Sequence, residues 1–193
     1  MGDEEERLRQ VVRGSAWVVG VLAAVRESGL PDAWVGAGIL RDLVWGELSG
    51  RGFRPAEVRD IDVVFFDPTD LSRERDAWAT ERLGAIRPGL PWEASNQAAV
   101  HTWYAGEFGG GPVPPLASIA EAVATWPETA TAVAVRLDAA DGIDICAPLG
   151  LADLLDGVWR CNPARMSLAR SYERLARHRL GERWPGIRVV PPA

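Results

Sequence analysis

The stretch Asp60-Ile61-Asp62, running on into Val63-Val64-Phe65-Phe66, constrains this chain more than any other. Side chains two apart on a strand point to the same face, so Asp60 and Asp62 stand together while Ile61 faces the core. Two carboxylates held that close stay ionised only if something positive joins them. A pair of Mg²⁺ ions roughly 3.5–4 Å apart, each needing oxygen ligands, meets that demand. A strand is therefore expected from Asp60 to Phe66. Asp67-Pro68-Thr69-Asp70 ends it and caps a helix running to about Leu83.

A second cluster lies upstream. Ala33-Trp34-Val35 reads as a short buried strand that enters Gly36-Ala37-Gly38 and passes straight into a helix from Ile39 to Leu48. Small residues at such a turn let backbone N–H groups and the helix N-terminus approach phosphate oxygens. One cluster for phosphate and one for metal are what nucleotidyl transfer requires. A dinucleotide-binding GxGxxG is excluded, because position 41 is Arg and no third glycine follows, and a Walker A loop is excluded because no GK pair exists. An isolated DID is common on solvated strand edges. The order of strand, glycine turn, helix and DID strand is what marks a site.

The remaining elements fill in a mixed sheet with helices packed on it, an α/β (α+β) class. Leu8, Val11, Val12, Val18, Val19 and Leu22 share one stripe and predict a single helix from about Glu5 to Glu27, stopped by Gly29. A strand starts at Trp92, and Asn96 caps a helix through His101 and Tyr104. Gly109-Gly110-Gly111-Pro112 and Pro114-Pro115 form a lid or a linker. Ser118 and Glu121 make a capping box before a helix that Pro127 ends. Thr129 to Leu137 alternates as a strand and turns back through Asp138 to Gly142 into Ile143 to Ala147. A last helix, Ala164 to Glu182, carries Met166, Ala169, Tyr172, Ala176 and Leu180 inward. The expected organisation is one domain over 1–193, with an N-terminal helix to residue 30, a sheet-containing core over 31–157 and an Arg-rich helical segment over 158–193.

Charge and composition narrow the function classes. The net charge of −6 disfavours a general nucleic-acid binder. Its distribution is uneven: from Val158 onward there are eight Arg and two Glu, a balance of +6, so the remainder carries −12. Every Lys-or-Arg residue is Arg. Such a helix either meets a polyphosphate or RNA backbone or is a solvated face balancing an acidic body, and the solvated face is the favoured reading. Cys146 and Cys161 have no redox or zinc spacing and read as reduced thiols. The acidic stretch Met1 to Gln10 is the opposite of a signal peptide, and the apolar run Ala16 to Val25 is about half a membrane span. A cytoplasmic protein with no membrane partner is expected. The nine tryptophans are read as core anchors rather than a ligand pocket.

Gly36 to Gly46 followed by Asp60-Ile61-Asp62 resembles the glycine-turn and metal-strand signature of polymerase-β-type nucleotidyltransferases, and its GxxxRDxxxG pattern is similar to that of tRNA CCA-adding enzymes and poly(A) polymerases. A closer resemblance, over nearly the whole chain, is to a bacterial nucleotidyltransferase-like family. Ala37 to Trp45 matches its AG-hydrophobic-hydrophobic-RN-x-x-W, with Asp42 for Asn, and Asp60 to Asp67 matches DIDVxxFD. Trp92, Asn96, Gln97, Ala98 and His101 match WxxxNQARMH, Trp126 to Thr131 is WPETAT, and Ala147 to Leu154 matches APFGLxDL with Leu149 for Phe. The resemblance implies a polymerase-β-type nucleotidyltransferase fold, a two-metal Mg²⁺ site and an NTP substrate. Two departures stand on the phosphate side: Ala37 lacks the hydroxyl of a Gly-Ser turn, and Ala99 replaces an Arg whose charged hydrogen bond is worth about 1–3 kcal/mol if it meets phosphate.

The superfamily's third carboxylate has two candidates in hydrophobic-acid-hydrophobic settings, Glu93 and Asp144, of which Glu93 is preferred as base or metal ligand. Arg41 either binds a triphosphate or pairs with Asp42 or Glu47. His101 reads as a hydrogen-bonded helix residue, Asn96 and Gln97 either read a base or cap a helix, and Glu128 satisfies backbone amides at a junction. The expectation is a Mg²⁺-dependent transfer of an NMP from an NTP to a hydroxyl. Asp60 and Asp62 hold metal and Gly36, Ala37, Gly38 and Arg41 hold the nucleotide. A small-molecule or protein acceptor is favoured over a long nucleic acid. The alternative is a catalytically degenerate domain that binds a nucleotide or a partner.

Overall fold

The computed structural model describes residues 2–108, 111–164 and 167–192. Gly109, Gly110 and Met166 lie outside the described residues, and with them part of the lid-or-linker expectation and one of the inward positions of the last helix.

The chain opens with two helices rather than one, α1 (Gly2–Gly14) and α2 (Ala16–Ser28), bent by 95° at Ser15. Ser15 adopts an extended conformation and its hydroxyl accepts from the Val18 N–H, so an N-cap interrupts an otherwise continuous apolar stripe. Both halves still bury that stripe, with Leu8, Val12, Val18 and Leu22 in the core. Among the described residues no single helix is long and apolar enough to cross a membrane.

Five strands form the central sheet: β1 (Trp34–Gly36), β2 (Ile61–Phe65), β3 (Trp92–Asn96), β4 (Ala134–Leu137) and β5 (Ile143–Cys146), in the order β3-β2-β1-β4-β5. Only β2 and β3 run parallel; the other neighbours are antiparallel. Helix α3 (Gly38–Leu48) follows β1, α4 (Arg73–Ile86) joins β2 to β3, and α5 (Val100–Phe108) and α6 (Ile119–Val123) precede β4. Alternation along the strands sorts residues to two faces. Val35, Ile61, Val63 and Phe65 join the larger core with Leu22, Trp45 and Leu83, while Trp34, Val64 and Ala134 join a smaller one with Ile119 and Val123. Trp45 is fully buried and donates its indole N–H to the Leu154 carbonyl at 2.9 Å, so its loss would cost about 3–5 kcal/mol.

Two expected elements change form. Thr129–Thr131 is a 3-10 turn, and the strand begins only at Ala134. The C-terminal segment holds α7 (Ala152–Leu155), β6 (Val158–Arg160), α8 (Leu168–His178), α9 (Leu180–Arg183) and β7 (Arg188–Val190). A left-handed Arg179 separates α8 from α9, and β7 returns to pair in parallel with β6. The expected inward face of that last helix holds only at Leu180, which is buried; Ala169, Tyr172 and Ala176 are exposed, and Ser171 is buried instead.

Candidate active site

The register of β2 against β3 sets Asp62 directly opposite Glu93. Asp60 precedes the strand by one residue and shares the face of Asp62 and Val64. These three carboxylates line one cleft of about 590 Å³ together with Ala37, Gly38 and Arg41. Asp144 does not belong to it. That residue stands on β5, at the opposite edge of the sheet from β3, bound to Arg136 at 3.0 Å and facing a different cavity.

The glycine turn is shaped by close approach. A Cβ on Gly36 would sit 2.6 Å from the Trp126 ring and 2.9 Å from the Val133 carbonyl, so only glycine fits, and Gly36 packs behind the cleft rather than lining it. Ala37 takes φ 56° and ψ −122°, a conformation that disfavours an L side chain, and its N–H donates to the Val133 carbonyl at 3.2 Å. Gly38 opens α3 and donates its N–H to the Asp62 carboxylate. Burial, then the charges of Asp60 and Glu93, push Asp62 up to about 7 despite that hydrogen bond and the positive charge of Arg174. The three acids therefore present an unmet demand for a cation.

Among the described residues no three His, Cys, Asp or Glu side chains are arranged to hold a metal ion unaided. Mg²⁺ is usually bound by one or two carboxylates plus substrate phosphates rather than by an all-protein cage. The hard oxygen donors of Asp60 and Asp62, one of them raised to about 7 by burial and by its acidic neighbours, fit that mode of binding.

The opposite wall is basic. Arg174, Arg177, His178, Arg179 and Arg183 line the same cleft, with Arg59 beside the acid strand. Arg177 and Arg179 are exposed, as the solvated-face reading expects, and they line the cleft as well; β7 pairs with β6 and Leu180 joins the larger core. Arg41 is nearly buried, pairs with Asp42 at 2.8 Å and stacks on Trp184 with its guanidinium carbon 4.9 Å from the ring centre. Asp42 also receives Arg183 at 3.2 Å.

Behind that wall lies a residue whose role the sequence did not reveal. Glu128, with no solvent exposure, sits 2.7 Å from Arg174 Nε, 2.9 Å from His178 Nε2 and 3.9 Å from Arg41. His178 approaches off the line of a good hydrogen bond. Burial alone would raise Glu128; its contact with His178 and the charges of Arg174, His178 and Arg41 reverse this and bring it to about 2. The only sequence signal was its place in the WPETAT pattern.

The other candidates are structural. Asn96 is fully buried, accepts from the Asp67 and Ala98 N–H groups and donates to the carbonyls of Asp67 and Asp70. Gln97 is buried and donates to Ser95. Neither they nor His101 line the cleft, and Ala99 is buried away from it, so an Arg lost at that position removes nothing from this site.

A five-stranded mixed sheet, a glycine turn leading into a helix and an acid pair on the next strand together define the polymerase-β type of nucleotidyltransferase fold. The chain belongs to a nucleotidyltransferase family, whose model matches residues 23–189. It is similar to a protein solved by NMR and described as a CCA-adding enzyme head domain, with 27% identity over 96% of this chain and 95% of that one and a TM-score of 0.80. A CCA-adding enzyme in complex with CTP shares the fold at 16% identity and a TM-score of 0.51, covering 89% of this chain and 39% of that one. The Thermotoga maritima CCA-adding enzyme complexed with tRNA does so at 17% identity and a TM-score of 0.51, covering 89% and 38%. This chain therefore spans about two fifths of the length of those two enzymes. No curated protein matches the sequence significantly.

Proposed function

We propose that this protein transfers a nucleoside monophosphate from an NTP to a hydroxyl acceptor in a Mg²⁺-dependent reaction. The observation that carries the reading is a single cleft lined both by the carboxylates Asp60, Asp62 and Glu93 and by the guanidiniums of Arg41, Arg174, Arg177 and Arg183. A metal–triphosphate complex has that same split of charge. Asp60 and Asp62 would hold the divalent cation, which lowers the pKa of an acceptor hydroxyl and neutralises charge on the departing pyrophosphate. Glu93, beside Asp62 and exposed, would take the acceptor's proton or complete a ligand set. Arg41 and Arg174 stabilise phosphate charge, and the backbone around Gly38 lets phosphate oxygens come close.

The acceptor is a small molecule or a protein in this reading, supported by the net charge of −6. Thermal shift with each of the four NTPs, with and without Mg²⁺, tests the nucleotide half. Stabilisation that requires both and disappears in Asp62→Asn is expected. No response to any NTP would sink the reading. Transfer of label from labelled NTPs in a cell lysate, abolished by Asp60→Ala, tests the transfer half. Ala37 favours a second reading, a domain that binds a nucleotide without turnover, because no side-chain hydroxyl at the turn is available to phosphate. NTP-dependent stabilisation without any labelled product would select it.

A further inference from the structure

We infer that Glu128 is the positioning residue of this cleft: a buried carboxylate that holds Arg41 of the core and Arg174 and His178 of the C-terminal helix in place to receive a triphosphate. The inference rests on the nucleotide-binding reading above and goes beyond it in assigning what assembles the phosphate side.

The three side chains around Glu128, two of them guanidiniums, come from distant parts of the chain. Arg41 belongs to the helix after the glycine turn, while Arg174 and His178 are one turn apart on α8. Like charges that converge on one cleft repel each other unless an anion lies among them. Glu128 is that anion, 2.7 Å from Arg174, 2.9 Å from His178 and 3.9 Å from Arg41, and shut off from water. Ser171 is the only buried residue of α8, Leu175 is partly covered, and Leu168 and Tyr172 are exposed. Its hydrogen bonds to the rest of the chain outside Glu128 include Cys161 with Ser171 and Tyr172 with the Pro192 carbonyl, both inside the C-terminal segment.

The carboxylate is also half free. Oε1 takes Arg174 and His178, whereas Oε2 is buried without a hydrogen-bond partner. Arg41 Nη1 lies 3.9 Å from it, and that guanidinium is itself committed to Asp42 through Nε and Nη2. Glu128 thus joins the two segments without neutralising both guanidiniums, and leaves them positive towards the cleft. The charge of Arg174 is already felt across it at Asp62. Glu128 does not line the cleft, so it acts through the cations it holds.

The test is a double-mutant cycle read by calorimetric binding of Mg²⁺-tripolyphosphate to the full chain, a probe that removes any base preference. Wild type binds. Glu128→Gln and Arg174→Ala each weaken binding about ten- to a hundredfold, and the double variant is no worse than the weaker single one, because both changes remove the same positioned guanidinium. A structural role alone would give additive losses. Additivity, or wild-type affinity in folded Glu128→Gln, overturns the inference and leaves the nucleotide reading intact. Failure of the wild type to bind tripolyphosphate or any NTP overturns both. If Glu128→Gln does not fold, hydrogen exchange in Arg174→Ala/His178→Ala takes its place. Amides of 168–178 should exchange faster there than in wild type, and unchanged exchange overturns the inference.

Discussion

Asp62 and Glu128 are two carboxylates on either side of one cleft, and their environments drive them in opposite directions. Burial and two neighbouring acids raise Asp62 to about 7; contact with His178 and the charges of Arg174 and Arg41 bring Glu128 down to about 2 although it is the more deeply buried. The crowded acids thus cost stability in the absence of a cation, whereas the basic side has a buried counter-ion of its own in Glu128. Local sequence builds the first: Asp60, Asp62 and the facing Glu93 follow from strand alternation and one register. The second joins Glu128 to residues 46 to 87 positions away, brought together only in the folded chain.

The largest effect expected from breaking this contrast is on activity. Asp62→Asn keeps the shape of the acid wall and removes the charge that would bind metal, so transfer should fall on the order of a thousandfold or more in a labelled-NTP assay. Activity within a few-fold of wild type would mean that the cleft does not use this carboxylate. Next comes stability. Glu128→Ala leaves Arg174, His178 and Arg41 without their shared anion, and removing one partner of a buried ion pair costs about 3–5 kcal/mol. Urea unfolding should show a loss of about 3 kcal/mol, at the lower end because Arg174 is partly exposed. A loss below about 1 kcal/mol would show that the network does not hold α8.

The same substitution at position 62 that destroys activity should stabilise the apo-protein. The folded pKa of Asp62 stands above its unfolded value of 3.8, so its contribution is most favourable below pH 3.8 and declines as pH rises to about 7, where the folded carboxyl also ionises. Asp62→Asn escapes that loss. Its Tm should exceed that of wild type by about 3 °C or more at pH 8, and the gap should close as pH falls from 7 towards 4. Mg²⁺ should in turn stabilise wild type more at pH 8 than at pH 6, where protons compete for the site, and should leave Asp62→Asn unmoved. An equal Tm gap at pH 8 and pH 4 would show that Asp62 is not strained by its neighbours.

What the sequence made legible follows the same division. The β1 strand, the helix after Gly36-Ala37-Gly38, the DID strand, the Asn96 cap and the β4–β5 hairpin each rest on signals within ten residues, and each is present. The choice of Glu93 over Asp144 also rested on a neighbouring motif, and β3 brings Glu93 to the acid pair. The misses are long-range or hidden by periodicity. Ser15 breaks a helix whose apolar spacing runs on unbroken, and Arg179 breaks another by taking a left-handed conformation that nothing about arginine announces. The pairing of β6 with β7 unites two three-residue strands too short to register as periodic. Glu128 in WPET looked like a junction residue because its three partners lie 46 to 87 residues away in sequence.

The smallest expected effect falls where the two walls meet, at Ala37. Its φ of 56° and ψ of −122° lie outside the regions an L residue prefers, and such a conformation costs on the order of 1–3 kcal/mol. Glycine removes the Cβ that makes it costly, so Ala37→Gly should raise stability by about 1 kcal/mol at unchanged Mg²⁺-tripolyphosphate affinity. Serine carries the same strain and adds a hydroxyl at the N-cap of α3, beside Gly38 and Arg41. Ala37→Ser should therefore leave stability within about 0.5 kcal/mol of wild type and tighten tripolyphosphate binding about three- to tenfold, the worth of one added hydrogen bond. The two variants separate the turn's two roles, since one alters only the chain and the other only the ligand. Tighter binding by the glycine variant, with none by serine, would mean that the turn limits phosphate by its backbone shape and not by the hydroxyl it lacks.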